Sequence, residues 1–373
     1  MTFIPPPYPY ERLGALSEVA SLHEGGAIDC SIGTPVDDPP AEVLEVLARA
    51  VGVRGYPPSA GTAELRDAAG DWLRRRFRVE VPSESLAACV GTKEFVASLA
   101  GFLHRRDPSR DVVLYPEISY PTYAMSATLA GLEPRAVPER DGRLDLAAIP
   151  AEVAARALVL WVNSPSNPTG DLDDLDAAAA WGRAHDVLVV SDECYADYTW
   201  RGDPRTILEG GLDGVLALHS TSKRSNLAGL RVGFYAGDPQ IVAYLRLVRQ
   251  HAGLMVPGPA QAAAAAAYRD DDHVAVQRRR YHDRLDLLAT ALREYGVAAE
   301  VPAGGFYLWC RDERADGWAL AGDLARDAGL VVSPGELYGT AGSAHVRIAV
   351  VQPTERLRVV AQRLRQRAAS RVR

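Results

Sequence analysis

The sequence predicts an α/β fold, with a mostly parallel central sheet in a large domain and a smaller α+β domain after it. Three observations carry this. Short apolar runs of strand length alternate with helical patterns through the middle of the chain, as in parallel strands covered on both faces. Beyond residue 270 that alternation gives way to long helices and isolated strands. The chain has 373 residues, 47% hydrophobic and 24% charged, the mix of a soluble globular protein with about two domains of roughly 100–200 residues each.

Residues 1–40 are rich in Pro and Gly and read as an arm, with a short apolar stretch at Ile28–Ile32 and a turn at Ser31–Pro35. A helical pattern starts after Pro40. A turn-rich segment, Arg54–Gly61, precedes a helix over Ala63–Arg76 that Thr62 can cap. Strand-like runs follow at Asp111–Tyr115, Ala157–Val162, Val187–Ser191, Val215–Ser220 and Val232–Ala236. Helical patterns at Phe95–Leu103, Thr122–Ala130 and Leu172–His185 lie among them. The six alanines Ala262–Ala267 predict a tightly packed helix, because Ala is the best helix former. A polar helix is expected over His273–Tyr295, then strands at Val297–Val301 and Gly305–Trp309, a helix at Trp318–Ala328, a strand at Val346–Val350 and a last helix. The expected division is 1–40 as arm and part of a small domain, 41–270 as the large domain, and 271–373 as the rest of the small one.

The net charge of −7 excludes the basic surface of a nucleic-acid binder. No apolar run is long enough to span a bilayer, and the Pro- and Tyr-rich start has no signal-peptide core. Cys30, Cys89, Cys194 and Cys310 show no paired or metal-ligand spacing. Free thiols in a cytoplasmic protein are expected.

Of 41 Lys plus Arg residues only Lys93 and Lys223 are Lys. Arg cannot serve as an amine nucleophile, so a Lys kept in such a chain is either a chance survivor or one that Arg cannot replace. Lys223 follows the run Val215–Ser222, where hydroxyls at a strand end suit a phosphate and an amine could form a Schiff base with an aldehyde. A surface loop Lys is the plain alternative. Asp192 ends another apolar strand, either to meet a cation or to cap a helix. Asn163–Gly170 is a tight turn leaving a third strand. Gly91-Thr-Lys-Glu94 opens a helix whose free N–H groups can receive an anion. Arg347, inside Val346–Val350, needs an anionic partner if buried.

Each motif alone is ordinary. Together, in this order and spacing, they resemble the class I/II aminotransferases, pyridoxal-phosphate enzymes of fold type I. The resemblance runs from Ile32-Gly-Thr-Pro to His345-Val-Arg-Ile and is most specific at Asn163–Gly170, Ser191–Tyr195 and Ser220–Arg231. It implies that Lys223 carries pyridoxal 5′-phosphate and shuttles a proton to and from the substrate Cα. Asp192 would pair with the pyridinium nitrogen, which lets the ring absorb electrons. Asn167 and Tyr195 would hold the phenolic oxygen. Gly91, Thr92, Lys93, Ser220 and Arg231 would hold the phosphate, and Tyr120 would stack on the ring. Tyr56 would reach the phosphate of a neighbouring subunit, which implies a homodimer. Arg347 would grip the substrate α-carboxylate, with Gly33 and Asn167 beside it.

Within the family, the stretches around Gly91, Tyr115–Tyr123 and Ser222–Gly229 look closest to the N-succinyl-diaminopimelate aminotransferases of lysine biosynthesis. Thr92 and Leu230 depart mildly from that pattern. Lys93, Arg54 and Arg224 are candidates for reading a distal anion. An aminotransferase for aspartate, an aromatic amino acid or a specialised substrate is the alternative. A regulator with the same fold would carry an N-terminal DNA-binding segment, and no basic helices stand there.

Overall fold

The computed structural model describes residues 3–52 and 54–371, so the expected outer bounds at 1 and 373 lie outside the described residues. Seven strands form the central sheet: β1 Leu86–Cys89, β2 Val112–Pro116, β3 Glu133–Val137, β4 Ala157–Asn163, β5 Leu188–Asp192, β6 Val215–Ser220 and β7 Gly233–Gly237. Their order across the sheet is β1-β7-β6-β5-β4-β2-β3. Only β7 runs against its neighbours. Both faces are covered, as the unbroken apolar runs require. Helices Ala63–Phe77, Leu175–His185 and Gly258–Arg269 pack on one face through Trp72, Ala178 and Tyr268. Helices Thr92–Arg106, Thr122–Ala130 and Pro239–His251 pack on the other through Phe95, Tyr123 and Leu245. Thr62 caps its helix as expected, accepting the Leu65 N–H at 3.2 Å.

Register fixes the working edge. Asn163 lies opposite Asp192 at the carboxyl ends of β4 and β5, and Ser220 ends β6 beside them, opposite Gly233 of β7. Open α/β sheets bind ligands at this edge.

A second core gathers Ile28, Cys30 and residues from Tyr281 to Leu364. It is built on the antiparallel strands Tyr307–Cys310, Val346–Ala349 and Ser333–Pro334 and the helices Asp272–Tyr295, Gly317–Ala328 and Thr354–Arg371. Ile28–Asp29 joins it by pairing in parallel with Leu330–Val331.

Three features differ from expectation. The arm is helical over Pro9–Leu13 and Gly14–Ser21, because Leu13, Leu16 and Ala20 recur at helical spacing and pack against Tyr338, Ala325 and Val331. The strand expected at Val297–Val301 is a single bridge, Ala298 to Arg311, since Pro302 and the glycines after it stop the ladder. Both edge strands, β1 and β3, escaped the sequence pattern: β1 has only four residues, and the Glu133, Pro134 and Arg135 of β3 are what an edge strand tolerates.

Candidate active site

Loops at the carboxyl ends of β4, β5 and β6 meet the second core around a cavity of about 380 Å³. Eleven of the thirteen site residues expected from the sequence line it: Gly33, Thr92, Lys93, Tyr120, Asn167, Asp192, Tyr195, Ser220, Lys223, Arg231 and Arg347. Gly91 stands just behind the wall. Tyr56 is outside it and 97% exposed.

Lys223 is in the short helix Thr221–Arg224 that β6 runs into. Tyr198 donates to its carbonyl at 3.0 Å, and its ammonium donates to the Gly33 carbonyl. Burial pulls the Lys223 pKa down to about 8; the charges of Arg347 and Arg231 act in the same direction, and Asp192 opposes them. A substantial fraction of this amine is therefore neutral near physiological pH, as a nucleophile must be.

Asp192 ends β5 and is buried. Its Oδ2 accepts from the Tyr123 hydroxyl at 3.0 Å and its Oδ1 from the Cys194 N–H at 3.2 Å. Among the described residues it forms no ion pair. Burial raises its pKa, opposed by the Cys194 and Tyr123 hydrogen bonds. Tyr123 is itself clamped by stacking on Trp161, 5.2 Å between centroids. A carboxylate so placed lacks a cationic partner.

The third end, Asn163, organises its turn. Its amide donates to the Asp192 carbonyl at 2.7 Å and its Oδ1 accepts the Asn167 N–H at 2.7 Å. The Asn167 side chain is thereby presented to Arg347, whose guanidinium donates to Asn167 Oδ1 at 2.7 Å and to the Ser31 carbonyl. Arg347 is 2% exposed, lies 4.3 and 4.7 Å over the rings of Tyr307 and Tyr338, and has no hydrogen-bond partner for its Nε among the described residues. Tyr195 and Tyr307 share a hydrogen bond of 2.8 Å.

Opposite lies a cradle of donors. Gly91, at φ 74°, opens the helix Thr92–Arg106, leaving the first N–H groups free of intrahelical partners. That φ favours glycine, and a Cβ on Gly91 would lie 2.1 Å from the Arg231 guanidinium, which would have to move aside. Arg231 itself holds a left-handed φ of 54°, a strain found where surrounding structure fixes a functional residue. Ser220 Oγ accepts the Ser222 N–H at 3.1 Å.

Several wall residues had no strong sequence signal. Tyr8 and Tyr10 come from the arm, Tyr307 from the second core, and Cys194 and Ser222 from within quoted motifs. Tyr8 covers Lys93, whose ammonium donates to its hydroxyl at 3.1 Å and lies 4.6 Å over its ring. Of the three distal candidates only Lys93 lines the cavity. Arg54 is exposed. Arg224 faces away, buried against Asp197 at 3.1 Å and Asp271 at 2.8 Å.

The cavity brings together an amine, a buried carboxylate without an ion pair among the described residues, and a helix start with free N–H groups. These fit the aldehyde, ring nitrogen and phosphate of pyridoxal phosphate, and the mostly parallel seven-stranded sheet is that of the pyridoxal-phosphate enzymes of fold type I. The comparison with known families narrows this. Residues 26–364 match the model of the aminotransferase class I and II family, to which the chain belongs; members of this family depend on pyridoxal phosphate and act on amino and 2-oxo acids. The chain is 42% identical to the 4-dedimethylamino-4-oxo-anhydrotetracycline transaminase of Streptomyces rimosus, covering 96% of this chain and 99% of the relative. It is 31% identical to the LL-diaminopimelate aminotransferase of Aquifex aeolicus, covering 96% of each. Among solved structures, one titled "probable N-succinyldiaminopimelate aminotransferase" from Thermus thermophilus superposes with a TM-score of 0.86 at 30% identity, over 96% of this chain and 99% of that one. No described helix is long and apolar enough to cross a membrane.

Proposed function

We propose that this aminotransferase uses Lys223 to hold pyridoxal phosphate and to move the proton at the substrate Cα. The observation that carries this is one cavity holding both an amine with its pKa lowered to about 8 and a buried carboxylate without a cation. The cofactor, when bound, supplies an electron sink for the Cα carbanion. Asp192 would keep its ring nitrogen protonated. Asn167 and Tyr195 would hold its phenolic oxygen, and Tyr120 would stack on the ring. Gly91, Thr92, Lys93, Ser220 and Arg231 would receive the phosphate. Arg347, with Gly33 and Asn167, would anchor the substrate α-carboxylate. Tyr56, wholly exposed in one chain, would serve a second copy in a homodimer. We also infer the division into an arm with part of a small domain (1–40), a large domain (41–270) and the rest of the small domain (271–373), and a cytoplasmic location, the latter from four unbridged thiols.

For the substrate we propose N-succinyl-LL-2,6-diaminopimelate, with 2-oxoglutarate as amino acceptor, giving N-succinyl-2-amino-6-oxopimelate and glutamate. Support comes from the pairing of a buried anchor, Arg347, with a second cation, Lys93, at the cavity wall. A specific observation favours a second reading. Tyr8, Tyr10, Tyr120 and Tyr307 give the cavity an aromatic wall, and the 42% identical relative is named for a tetracycline-type ketone. A single-turnover panel separates them. The amino form of the enzyme is mixed with 2-oxoglutarate, the succinylated oxo acid and a polycyclic aromatic ketone, and the return of the aldehyde form is followed by absorbance. Fast turnover with the ketone alone would overturn the diaminopimelate assignment. No turnover with any acceptor would overturn the transaminase site.

A further inference from the structure

The turn at Gly91 is held from behind by an ion pair that none of the roles above uses. Glu94 is in the first turn of the helix Thr92–Arg106. Its carboxylate folds back on the turn: Oε2 accepts the Val90 N–H at 3.2 Å, and Oε1 accepts the Ser98 hydroxyl at 3.0 Å. Arg249, from the helix Pro239–His251, grips both oxygens at 3.0 and 2.6 Å. It is 1% exposed and lies 5.3 and 5.8 Å over the rings of Phe95 and Tyr235.

A carboxylate in the first turn of a helix ordinarily gains from the helix dipole. At this helix start the gain conflicts with function, because an unpaired carboxylate would compete with a phosphate for the same positive end and repel it. Arg249 resolves the conflict. It cancels the charge of Glu94, whose side chain is 23% exposed, in a bidentate contact while Oε2 still holds the Val90 N–H.

We propose that Glu94 and Arg249 are a positioning pair for the phosphate turn: Glu94 fixes the backbone of Val90 and Gly91, and Arg249 neutralises Glu94 so that a phosphate dianion can bind. The proposal rests on the reading of this turn as the phosphate seat.

The test compares pyridoxal phosphate with pyridoxal, which has the aldehyde and ring but no phosphate. Both are titrated by absorbance into enzyme stripped of cofactor, for wild type, Arg249→Met, Glu94→Gln and the double variant. Arg249→Met should weaken pyridoxal phosphate about tenfold or more, the scale of a broken buried charge pair, and leave pyridoxal nearly unchanged. Adding Glu94→Gln should restore most of the affinity, since the amide oxygen still accepts from Val90. Equal losses for both ligands, or no rescue, would reduce the pair to packing and overturn the proposal. If Arg249→Met does not fold, Glu94→Gln alone decides: pyridoxal phosphate should bind it at least as tightly as wild type, and weaker binding overturns the idea. Inorganic phosphate supplies the control on the seat itself. Failure to compete with pyridoxal phosphate on wild type would sink the phosphate-seat reading, whatever the variants do.

Discussion

Arg347 and Asn167 are 180 residues apart in the chain and joined by a 2.7 Å hydrogen bond. One comes from the second core and the other from the turn leaving β4, so this bond ties the two cores together across the cavity. Among the described residues, the guanidinium meets only neutral oxygens and aromatic faces. It is a buried cation waiting for an anion.

The first prediction follows. Arg347→Ala should lower kcat/KM for both amino substrates by a similar amount, about 2–5 kcal/mol, as for truncation of one partner of a buried charge pair. Measuring both half-reactions checks it. A variant that spares one of them would make Arg347 a structural residue instead of a shared anchor.

The second concerns Asp192. Its carboxylate keeps its place through the Tyr123 hydroxyl, and a hydrogen bond to a charged group contributes about 1.5–3 kcal/mol. Tyr123→Phe should therefore slow turnover by roughly one to two orders of magnitude with little change in KM, since the ring stack on Trp161 survives. Asp192→Asn, which removes the charge itself, should cost more. Near-native turnover in Asp192→Asn would dismiss the charge role.

The third is a pH dependence. The Lys223 pKa is lowered from 10.5 to about 8, so the cofactor-free protein binds fewer protons than its unfolded chain between those values. Stability then rises with pH across that window: the contribution is full above 10.5 and lost as pH falls through about 8. Capture of pyridoxal phosphate should rise through about pH 8 and level off above it, where a solvated Lys would keep climbing toward 10.5. Stopped-flow capture rates and denaturant midpoints from pH 6.5 to 10 test both arms. Lys223→Met should flatten the stability profile. Borohydride reduction of the loaded wild type, followed by peptide mapping, should place the pyridoxyl group on Lys223 and not on Lys93.

Much of this site was legible in the sequence because parallel strands put their chemistry at their ends. The apolar runs closing on Asn163, Asp192 and Ser220 could be found by pattern, and the scarcity of Lys narrowed the amine to Lys93 and Lys223, of which only Lys223 follows a strand end. What lay beyond reach was contributed across the fold. Tyr307 reaches the cavity from a different core, and Tyr8 and Tyr10 from an arm that reads as Pro-rich coil until Leu13, Leu16 and Ala20 find their partners. Pairing of that kind depends on tertiary packing, to which local spacing is blind. Arg224 was within reach of local reasoning. Adjacent to Lys223 and cationic, it is the weakest distal candidate in the sequence because a neighbour of that Lys faces away from the substrate, and the helical turn does carry it to the opposite side, onto Asp197 and Asp271.

The last prediction tests the close packing at the mouth of the carboxylate site. A Cβ built on Gly33 would lie 2.0 Å from the Tyr307 hydroxyl oxygen. That hydroxyl is held at 2.8 Å by Tyr195, and its ring lies under Arg347. Gly33→Ala must therefore displace Tyr307, and overpacking of this kind costs about 1–3 kcal/mol. The displacement should reach function by two routes, through the Tyr195 hydroxyl and through the seat of the Arg347 guanidinium. Tyr307→Phe removes the hydroxyl that collides, so it should relieve part of the strain. The double variant Gly33→Ala with Tyr307→Phe should melt higher than Gly33→Ala alone and recover part of its kcat/KM. If the double variant is no better than Gly33→Ala by either measure, the Tyr307 hydroxyl is not what selects the glycine, and the ring carbons at 2.8 and 2.9 Å are left as the obstacle.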